Sequence, residues 1–481
     1  MNHDLQHLLD TQDGLGLGQC VSQGDVTSEA LLDGVIERLE QVNPSLNAMV
    51  DRLYDHAREA SRQPFVGTPP FAGVPTLVKD LFSPVKGARM TQGSIVSGDV
   101  RADFDAEAVA RLRQAGCLLL GTTTSPEFGT SYTTESSRHG ATCNPWHLDR
   151  SAGGSSGGAA ALVAARVVPF AHGNDGGGSL RVPASCCGVF GFKPSRGLMP
   201  SGPMAGEGWG GMGTAHAITR SVRDSAALLD ATAGADLGAP YAAPLSTTSY
   251  LAATQSTPKA LRIGLIEGPT IAPEAAKVVR QTAALCESLG HSVDIVTLPL
   301  VWETLYSHCF DIIGPNTQAL LDMIGKMRGH AVAAEEIEPR TRVMLRERGQ
   351  LDATQYIAAI NYIHSLGRQL ATIMLDFDVL LSPTLARQPP IIGTLDAFDD
   401  TLSLDDVIDA FHSYCPFTAL FNATGQPAMS VPLFWTDDGL PLGSHFAGRF
   451  GEDALLFSLA AQLEAAAPWA GHIPPVHAGH L

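Results

Sequence analysis

The sequence predicts an α/β protein in which helices alternate with the strands of a sheet. In the first half, residues 105–115 have helical periodicity, and the apolar run that follows at 118–121 is typical of a buried strand. In the second half, a strand over 262–266, a helix over 272–289 and a strand over 292–297 repeat this alternation. Helix-to-strand units of this kind are typical of layered α/β folds.

The overall composition indicates a globular protein that acts on small molecules. Hydrophobic residues make up 44% and charged residues 17% of the 481 residues, which is enough for a large core. A net charge of −18 repels nucleic acid and anionic membranes. We therefore expect neither of these as a partner, and a neutral small molecule as the ligand.

The cysteines, the histidines and the N-terminus give no sign of a metal site or of export. The eight cysteines have no CxxC spacing, and Cys186 and Cys187 lie in an apolar stretch, so buried free thiols are expected. The tail histidines have no acidic or cysteine partners, which argues against a metal; they are His472, His477 and His480. The N-terminus carries acids, and no window approaches the ~18 apolar residues of a membrane span. These patterns predict a cytoplasmic protein.

The first elements of the chain are predicted to be helical. Ser28 is a suitable N-cap for a helix whose apolar face extends to Val42, and the Asn-Pro pair that follows should break this helix. A second helix over 55–62 precedes a proline-rich loop. Directly after that loop, Lys79 lies in an apolar segment that should enter the core.

The segment from Ser151 to Ser179 is the stretch on which the functional prediction depends. Two glycine- and serine-rich loops bracket an apolar segment, in which residues 159–165 favour a helix and residues 167–170 a short strand. This order can fold the second loop back beside the first. Ser155 and Ser179, which are 24 residues apart, can then meet.

Three consecutive glycines before Ser179 form a candidate anion site. Without Cβ atoms, the peptide N–H groups of Gly176, Gly177, Gly178 and Ser179 can converge on a negative charge. A serine hydroxyl beside such donors suits acyl transfer, in which the hydroxyl attacks a carbonyl and the donors hold the oxyanion.

Lys79 is the candidate base for this chemistry. Its neighbours are apolar, and burial can lower a lysine pKa by as much as ~3–5 units, enough to populate the neutral amine. We therefore predict Lys79 as base, Ser155 as proton relay and Ser179 as nucleophile, with no metal or organic cofactor. Asp175 and Arg181 can form a bidentate pair that supports the turn without taking part in the chemistry.

Two rival interpretations of the glycine-serine segments fit their context less well. Residues 153–157 also match G-x-S-x-G, the nucleophile elbow, but an elbow needs a hydrophobic strand directly before the serine, and residues 144–151 are predicted to be a polar loop. Flexible linkers would also be rich in glycine and serine. They would not explain why such segments interrupt an apolar core stretch.

The same residues resemble the amidase signature family of hydrolases. The matching segments are residues 73–80 (GVPTLVKD), 152–158 (AGGSSGG), 174–184 (NDGGGSLRVPA) and 188–194 (GVFGFKP). The resemblance covers most of the chain and implies a Ser-cisSer-Lys triad at Ser179, Ser155 and Lys79, with the cis peptide bond before Ser155. It also implies a single large α/β domain in which helices cover both faces of a mixed β-sheet.

We expect four parts within that single domain. Residues 1–64 form an N-terminal helical region, and residues 65–235 form the signature core with the three triad residues. Residues 236–260 are rich in small residues and proline, and are predicted to be a linker. Residues 261–481 form a second α/β half that completes the same domain.

The resemblance also indicates which residues line the substrate pocket. In this family the loop corresponding to 127–132 lines the acyl pocket, and the mostly helical segment 301–373 supplies the leaving-group side. The substrate-binding candidates are Phe128, Thr130, Tyr132, Asn174, Cys309 and Asn316. Many family members carry a bulkier residue where Gly176 stands, so we expect a wider space beside the oxyanion hole. Ordinary core packing is the alternative interpretation of the candidate side chains.

The expected activity is hydrolysis of a carbon–nitrogen amide bond through an acyl-enzyme. The sequence looks closest to the branch with nylon-oligomer cyclic-dimer hydrolases and aryl acylamidases, which implies a small, bulky or hydrophobic non-peptide substrate such as an anilide, a lactam or oligoamide, or a carbamate. One alternative is the glutamine-hydrolysing A subunit of a tRNA-dependent amidotransferase, and another is a non-catalytic binding protein on this fold. The sequence leaves the oligomeric state open, and a homodimer is one of the states it allows.

Overall fold

The computed structural model describes residues 3–395, 399 and 401–479. The helices, labelled α1 to α16 in chain order, are His3–Thr11, Gly14–Gln23, Ser28–Leu46, Tyr54–Ser61, Glu107–Gln114, Gly157–Ala164, Arg181–Cys187, Val222–Thr232, Tyr250–Ala253, Pro273–Ser288, Trp302–Arg328, Pro339–Arg348, Ala353–Ile373, Leu404–Tyr414, Thr418–Thr424 and Asp453–Ala466. The strands, labelled β1 to β15, are Met49–Arg52, Pro75–Lys79, Leu118–Thr123, Glu135–Ser136, Gly140–Ala141, Cys143–Asn144, His147–Ser151, Phe170–Asp175, Phe190–Lys193, Thr214–Thr219, Arg262–Glu267, Ser292–Thr297, Val379–Pro383, Ala428–Trp435 and Pro441–Gly448.

An eight-stranded mixed sheet forms the centre of the protein. Its strand order is β12-β11-β13-β15-β14-β9-β10-β8. Strand β11 pairs in parallel with β12 and β13, and the remaining neighbours pair antiparallel. Both halves of the chain contribute strands, so the sheet joins them into one α/β domain, as the sequence and the family resemblance predict.

Helices bury both faces of this sheet. Along β13, Val379 and Leu381 belong to one apolar cluster, whereas Leu380 between them belongs to another. Alternation with a period of two means that the two clusters lie on opposite faces. One cluster contains Leu162 of α6, and the other contains Phe457 of α16. A sheet buried on both sides is typical of layered α/β folds.

A smaller sheet positions Lys79. It has the order β1-β3-β2, in which β3 pairs antiparallel with β1 and in parallel with β2. The hydroxyl of Thr76 donates a 2.9 Å hydrogen bond to the carbonyl of Phe170 in β8, and this bond joins the small sheet to the edge of the large one. The C-terminal end of β2, where Lys79 lies, is therefore held beside the strand that leads to the glycine-rich turn.

The helix α3 differs from its prediction at both ends. Thr27, not Ser28, is the N-cap, and its hydroxyl accepts a hydrogen bond from the N–H of Ala30. The helix also continues past Pro44 to Leu46 instead of breaking there. Because Pro44 lies in the last turn, its missing N–H costs at most one hydrogen bond near an end that frays anyway.

The central segment has the predicted order, but its strand is placed differently. Helix α6 occupies 157–164, and strand β8 covers 170–175 instead of 167–170. The polar residues 172–175 join the strand because they pair with residues 214–217 of β10. This partner is distant in sequence, so local composition could not reveal it.

The prediction of a loop over 144–151 is wrong. Strands β6 and β7 form a hairpin in this region, with Asn144 opposite His147. The hairpin is a separate two-stranded sheet, and His147, Leu148 and Asp149 are exposed. A polar, exposed strand outside the large sheet still does not supply the hydrophobic strand that a nucleophile elbow requires.

The cysteines are free, as expected, although their burial varies. Six are buried, whereas Cys20 and Cys143 are only partly buried. Within the described residues, no group of three or more histidine, cysteine and acidic side chains could hold a metal ion. His480, one of the three tail histidines considered above, lies outside the described residues. Across residues 3–395, 399 and 401–479, no helix combines the length and the apolar character needed to cross a bilayer.

Candidate active site

Lys79 ends strand β2 with its side chain fully enclosed. It is 0% exposed, and its Nζ lies 2.7 Å from Ser155 Oγ and 2.7 Å from Asn174 Oδ1. The amide of Asn174 is fixed in orientation because its Nδ2 donates a 2.7 Å hydrogen bond to the carbonyl of Leu81. Its oxygen therefore faces Lys79 and accepts a hydrogen bond from the amine.

The surroundings of Lys79 disfavour its charged form. Burial lowers the pKa of Lys79 well below its ordinary value of 10.5, and the negative charge of Asp175 opposes this effect only in part. Among the described residues, Lys79 forms no salt bridge within 4.0 Å. An amine without a counter-ion in the interior is stabilised in its neutral form, in which it can accept a proton.

Ser155 and Ser179 line the same pocket as Asn174, the other hydrogen-bond partner of Lys79. Ser155 follows the cis peptide bond Gly154–Ser155 and lies just before α6. Ser179 lies between the glycine-rich turn and α7. Ser155 is 1% exposed and Ser179 is 5% exposed, and both line one cavity together with Asn174. The structure thus brings Lys79, Ser155 and Ser179 to one site.

Asp175 and Arg181 form a fully buried bidentate pair. Arg181 Nε donates to Asp175 Oδ2 at 3.0 Å, and Arg181 Nη2 donates to Asp175 Oδ1 at 2.9 Å. Arg181 also donates to the carbonyl of Thr418 and to the side-chain oxygen of Asn422 in α15. Burial alone raises the pKa of Asp175, but the Arg181 charge and several hydrogen bonds hold it below its usual value. The pair therefore connects the turn to the second half of the chain.

The glycine-rich turn offers three of its four predicted donors. The N–H of Gly178 donates a 2.7 Å hydrogen bond to Asp175 Oδ1, so the prediction of this group as an oxyanion donor is wrong. The carbonyl of Gly177 accepts from the hydroxyls of Tyr132 and Thr418. The Gly177–Gly178 peptide is thus anchored to the protein at both its C=O and its N–H. Within the described residues, the N–H groups of Gly176, Gly177 and Ser179 have no acceptor.

The expected widening beside Gly176 does not occur. A Cβ atom added at Gly176 would lie 2.6 Å from two ring carbons of Trp209. The indole of Trp209, from the loop over 203–213, therefore occupies the space that the missing side chain leaves. Glycine at 176 permits this close approach of the ring to the backbone.

Two cavities meet at Ser179. The wide pocket has a volume of about 260 Å³ and is lined by residues that include Ser155, Asn174, Leu320 and Asn316. The narrow pocket has a volume of about 50 Å³. Its lining includes Gly177, Thr130, Tyr132, Cys309, Ile313 and His412. Ser179, Gly176 and Trp209 line both cavities, so a group bound at Ser179 can extend to either side of the indole.

Comparison with known proteins identifies the family. A model of the amidase family matches residues 30–457 of the chain. The chain belongs to the amidase family. It is therefore an amide-bond hydrolase.

Individual relatives are similar to this amidase over nearly their whole length. The 6-aminohexanoate-cyclic-dimer hydrolase of Paenarthrobacter ureafaciens is 36% identical over 479 residues, which cover 96% of each chain. A solved structure of a 6-aminohexanoate cyclic dimer hydrolase has a TM-score of 0.91 at 34% identity, covering 97% of this chain and 99% of that one. A bacterial aryl acylamidase of the amidase signature family has a TM-score of 0.87 at 29% identity, covering 96% and 98%.

Most of the substrate-binding candidates line one of the two cavities of the amidase. Thr130, Tyr132 and Cys309 line the narrow pocket, and Asn174 and Asn316 line the wide pocket. Phe128 does not line either of them. It is 1% exposed and packs with residues of α11 such as Leu321 and Ile324, which agrees with ordinary core packing.

Three residues of the site were missed by the sequence analysis. Trp209 lines both pockets, His412 lines the narrow one, and Asn422 donates to the carbonyl and the carboxylate of Asp175. A lone tryptophan in a glycine-rich loop was a usable signal, because such a loop has little other apolar material. His412 and Asn422 lie in ordinary helical segments, and nothing in their local sequence distinguishes them.

Proposed function

We propose that the protein hydrolyses amide bonds with Ser179 as nucleophile, Ser155 as proton relay and Lys79 as base. The supporting observation is a completely buried lysine whose amine contacts the hydroxyl of Ser155 and has no counter-ion within 4.0 Å in the described part of the chain. Burial of this kind destabilises the charged form of a lysine, and buried lysines with a lowered pKa are typical of sites that use a neutral amine as a base. The substrate class is a small non-peptide amide: an anilide, a lactam or oligoamide, or a carbamate.

The hydrogen bonds of Lys79 support proton transfer from Ser155 to the amine. A neutral amine has two N–H donors and one lone pair. Because the Asn174 oxygen can only accept, it takes an N–H of Lys79, and the lone pair is then available to the hydroxyl of Ser155. Ser179 attacks the carbonyl while its proton passes to Ser155 and the Ser155 proton passes to Lys79.

The oxyanion of the tetrahedral intermediate is stabilised by backbone donors. Among the residues that the structure describes, the N–H groups of Gly176, Gly177 and Ser179 have no acceptor, and the anchored Gly177–Gly178 peptide fixes the turn that carries them. Fixed donors cost no reorganisation during the reaction, and each one typically contributes ~3–4 kcal/mol. Ser155 then returns a proton to the leaving nitrogen, and water hydrolyses the acyl-enzyme by the same relay.

The two cavities suggest how the substrate divides between them. The narrow pocket contains residues of the 127–132 loop. In the amidase signature family, the corresponding loop lines the acyl side of the substrate pocket. The wide pocket is left for the amine part, and its walls include Leu81, Leu320 and Trp209. A short acyl group and a larger, apolar amine therefore fit the site best.

Turnover by Ser179→Ala tests the proposal. Purified wild type, Ser179→Ala and Ser201→Ala would be assayed with anilides, lactams, short linear amides, carbamates and glutamine. Ser201 lines the same wide pocket and serves as the matched serine control. We expect Ser179→Ala to lose at least ~10³-fold in kcat and Ser201→Ala to retain activity. Near-native turnover by Ser179→Ala would reject the assignment.

Two additions to this experiment, tRNA in the glutamine assay and labelling with a serine-directed phosphonate, distinguish the two alternatives. Glutamine hydrolysis that tRNA stimulates, without turnover of the other amides, would indicate an amidotransferase subunit. A serine-directed phosphonate should label the wild type and Ser201→Ala but not Ser179→Ala. Absence of labelling in all three proteins would indicate a non-catalytic binding protein.

A further inference from the structure

The narrow pocket contains a buried histidine that the proposed reaction does not use. His412 lies in the last turn of α14 and is 6% exposed. It lines the narrow pocket together with Ser179, so it lies on the acyl side of the nucleophile. A polar ring at this position can contact the bound acyl group directly.

His412 has an unsatisfied ring nitrogen. Its buried Nδ1 has no hydrogen-bond partner among the described residues. Buried polar atoms nearly always have a partner, and those without one need an explanation such as a bound ligand or water. Burial also lowers the pKa of His412 to about 3, against a smaller opposite effect of a hydrogen bond with the Cys415 backbone. The ring is therefore neutral, with one nitrogen that donates and one that accepts.

The ring of His412 is held rigidly in place. It stacks on Tyr306 with the ring centroids 3.4 Å apart and an interplanar angle of 1°. Tyr306 is itself fixed, because its hydroxyl donates to the carbonyl of Pro416. The ring of Tyr132 packs nearly perpendicular to the histidine, at a centroid distance of 5.9 Å and an interplanar angle of 80°. A ring confined in this way presents its nitrogens in a fixed direction.

Neighbouring polar groups in the pocket are already engaged. The Tyr132 hydroxyl donates to the Gly177 carbonyl, and the Thr130 hydroxyl donates to the Glu127 carbonyl. Much of the remaining lining is apolar, including Phe310 and Ile313. His412 therefore adds a polar group with an unpaired nitrogen to a small pocket in which the Tyr132 and Thr130 hydroxyls are already engaged.

We propose that His412 selects short acyl groups that carry a neutral hydrogen-bonding end, such as a hydroxyl or a carboxamide, over alkyl groups of the same shape. This proposal rests on the proposed function, because it assigns the narrow pocket to the acyl side. The volume of about 50 Å³ leaves space for only a few heavy atoms. A hydroxyl both donates and accepts, so it can pair with either tautomer of the ring.

The test compares pairs of 4-nitroanilides that share one leaving group and one acyl shape. One pair is 3-hydroxypropanoyl and butanoyl, and the other is carbamoylacetyl and 3-methylbutanoyl. We expect the wild type to prefer the polar member of at least one pair by about tenfold or more in kcat/KM, because an alkyl end would leave the buried nitrogen unpaired. Equal rates, or a preference for the alkyl member in both pairs, would overturn the proposal.

Variants locate the preference at His412. His412→Phe keeps an aromatic ring on Tyr306 and should abolish or reverse the preference, whereas His412→Gln should retain part of it. His364→Phe in α13 removes a histidine that lines neither pocket and should leave the preference unchanged. A folded His412→Phe protein that keeps the wild-type ratio would contradict the proposal. If that variant does not fold, the wild-type ratios still decide the outcome.

Binding to Ser179→Ala separates this proposal from the proposed function. The same four anilides would be titrated into that variant by calorimetry, which requires no turnover. Tighter binding of a polar member by about tenfold supports the role of His412 even if another residue is the nucleophile. Equal dissociation constants within both pairs would reject it even if Ser179 is the nucleophile.

Discussion

Lys79, the proposed base, carries a cost in stability. Its folded-state pKa is depressed, so between that value and 10.5 the unfolded chain binds a proton that the folded chain does not. The free energy of unfolding therefore rises with pH across this window, and the penalty from burying the amine is greatest on its acid side. Proteins commonly place such destabilising groups in active sites.

Replacing the lysine by methionine should separate these two effects. We expect Lys79→Met to lose at least ~10²-fold in kcat, since general base catalysis contributes about that much, and to be more stable than the wild type at pH 7. Urea denaturation at several pH values should show that this gain shrinks toward pH 10.5. Lys193→Met is the control, because Lys193 is also buried but donates to the Pro194 carbonyl away from both pockets. A large loss of turnover in that control, or none in Lys79→Met, would contradict the assignment.

The pH profile of the wild type should report the same group. Protonation of Lys79 removes the base, so kcat/KM should fall as the pH decreases through its folded-state pKa and reach a plateau on the alkaline side. The midpoint should lie below 10.5, because burial lowers the pKa. The measurement is initial rate against pH with a neutral anilide. An activity maximum at acid pH would be incompatible with a lysine base.

At the scale of elements, the active-site turn is shaped by its contacts with other segments. The loop over 203–213 places Trp209 on Gly176, and α15 places Thr418 and Asn422 against the residues around Gly177 and Asp175. The turn thus depends on elements that are remote in sequence.

The contact between Gly176 and Trp209 can be tested by a pair of substitutions. Gly176→Ala introduces a Cβ that would lie 2.6 Å from the indole, so we expect the turn to shift and kcat/KM to fall about tenfold or more. In Trp209→Ala the indole is absent, so adding Gly176→Ala should cost much less. Kinetics of the two single variants and the double variant measure this coupling. Strictly additive losses would show that the ring does not restrict the turn.

The buried Asp175–Arg181 pair should dominate the stability of this region. Arg181→Leu leaves the Asp175 carboxylate buried without its partner and should lower the free energy of unfolding by about 3–5 kcal/mol. Arg181→Lys restores the charge but not the two parallel hydrogen bonds, so it should recover only part of this loss. Urea denaturation of the three proteins at pH 7 provides the comparison. A change below 1 kcal/mol in Arg181→Leu would refute the supporting role of the pair.

At the scale of the whole molecule, the net charge of −18 should affect which substrates approach. Glu207 adds a local negative charge, since it lines the wide pocket, where its carboxylate accepts a hydrogen bond from Tyr241. We therefore expect the site to favour leaving amines without an anionic substituent over those that carry one.

Salt dependence should reveal this effect. The two substrates are anilides of 4-aminobenzoate and of its neutral carboxamide, and we expect a lower kcat/KM for the carboxylate substrate. Its kcat/KM should increase several-fold when the ionic strength rises from about 0.01 M to 0.2 M, because salt screens exposed charges. The neutral anilide should respond little. Glu207→Gln should increase the rate of the carboxylate substrate at low salt. An equal salt response of both substrates would exclude electrostatic selection.

The sequence predicted those features that depend on local pattern or on the family motif. The helix-to-strand units, the burial of Lys79 and the partnership of Asp175 with Arg181 could each be inferred from nearby residues. Three other features could not be inferred in this way: the extension of β8, the packing of the Trp209 indole on Gly176 and the hydrogen bond from the Gly178 N–H to Asp175. Each depends on a contact or a backbone direction that sequence spacing does not define. His412 was missed for the same reason, since an amphipathic helix gives no sign of which polar residue it turns inward.

The contacts of Arg181 with Thr418 and Asn422 make the two halves of the chain interdependent. A fragment that ended before β11 would carry the lysine and both serines, yet it would lack the carbonyl and amide groups that complete the cage around Asp175. Such a fragment would contain all three residues of the proposed triad, and we expect it to lack amidase activity. We therefore expect the proposed chemistry to require that α15 has packed on Arg181, so that a chain truncated before α15 should not cleave amides.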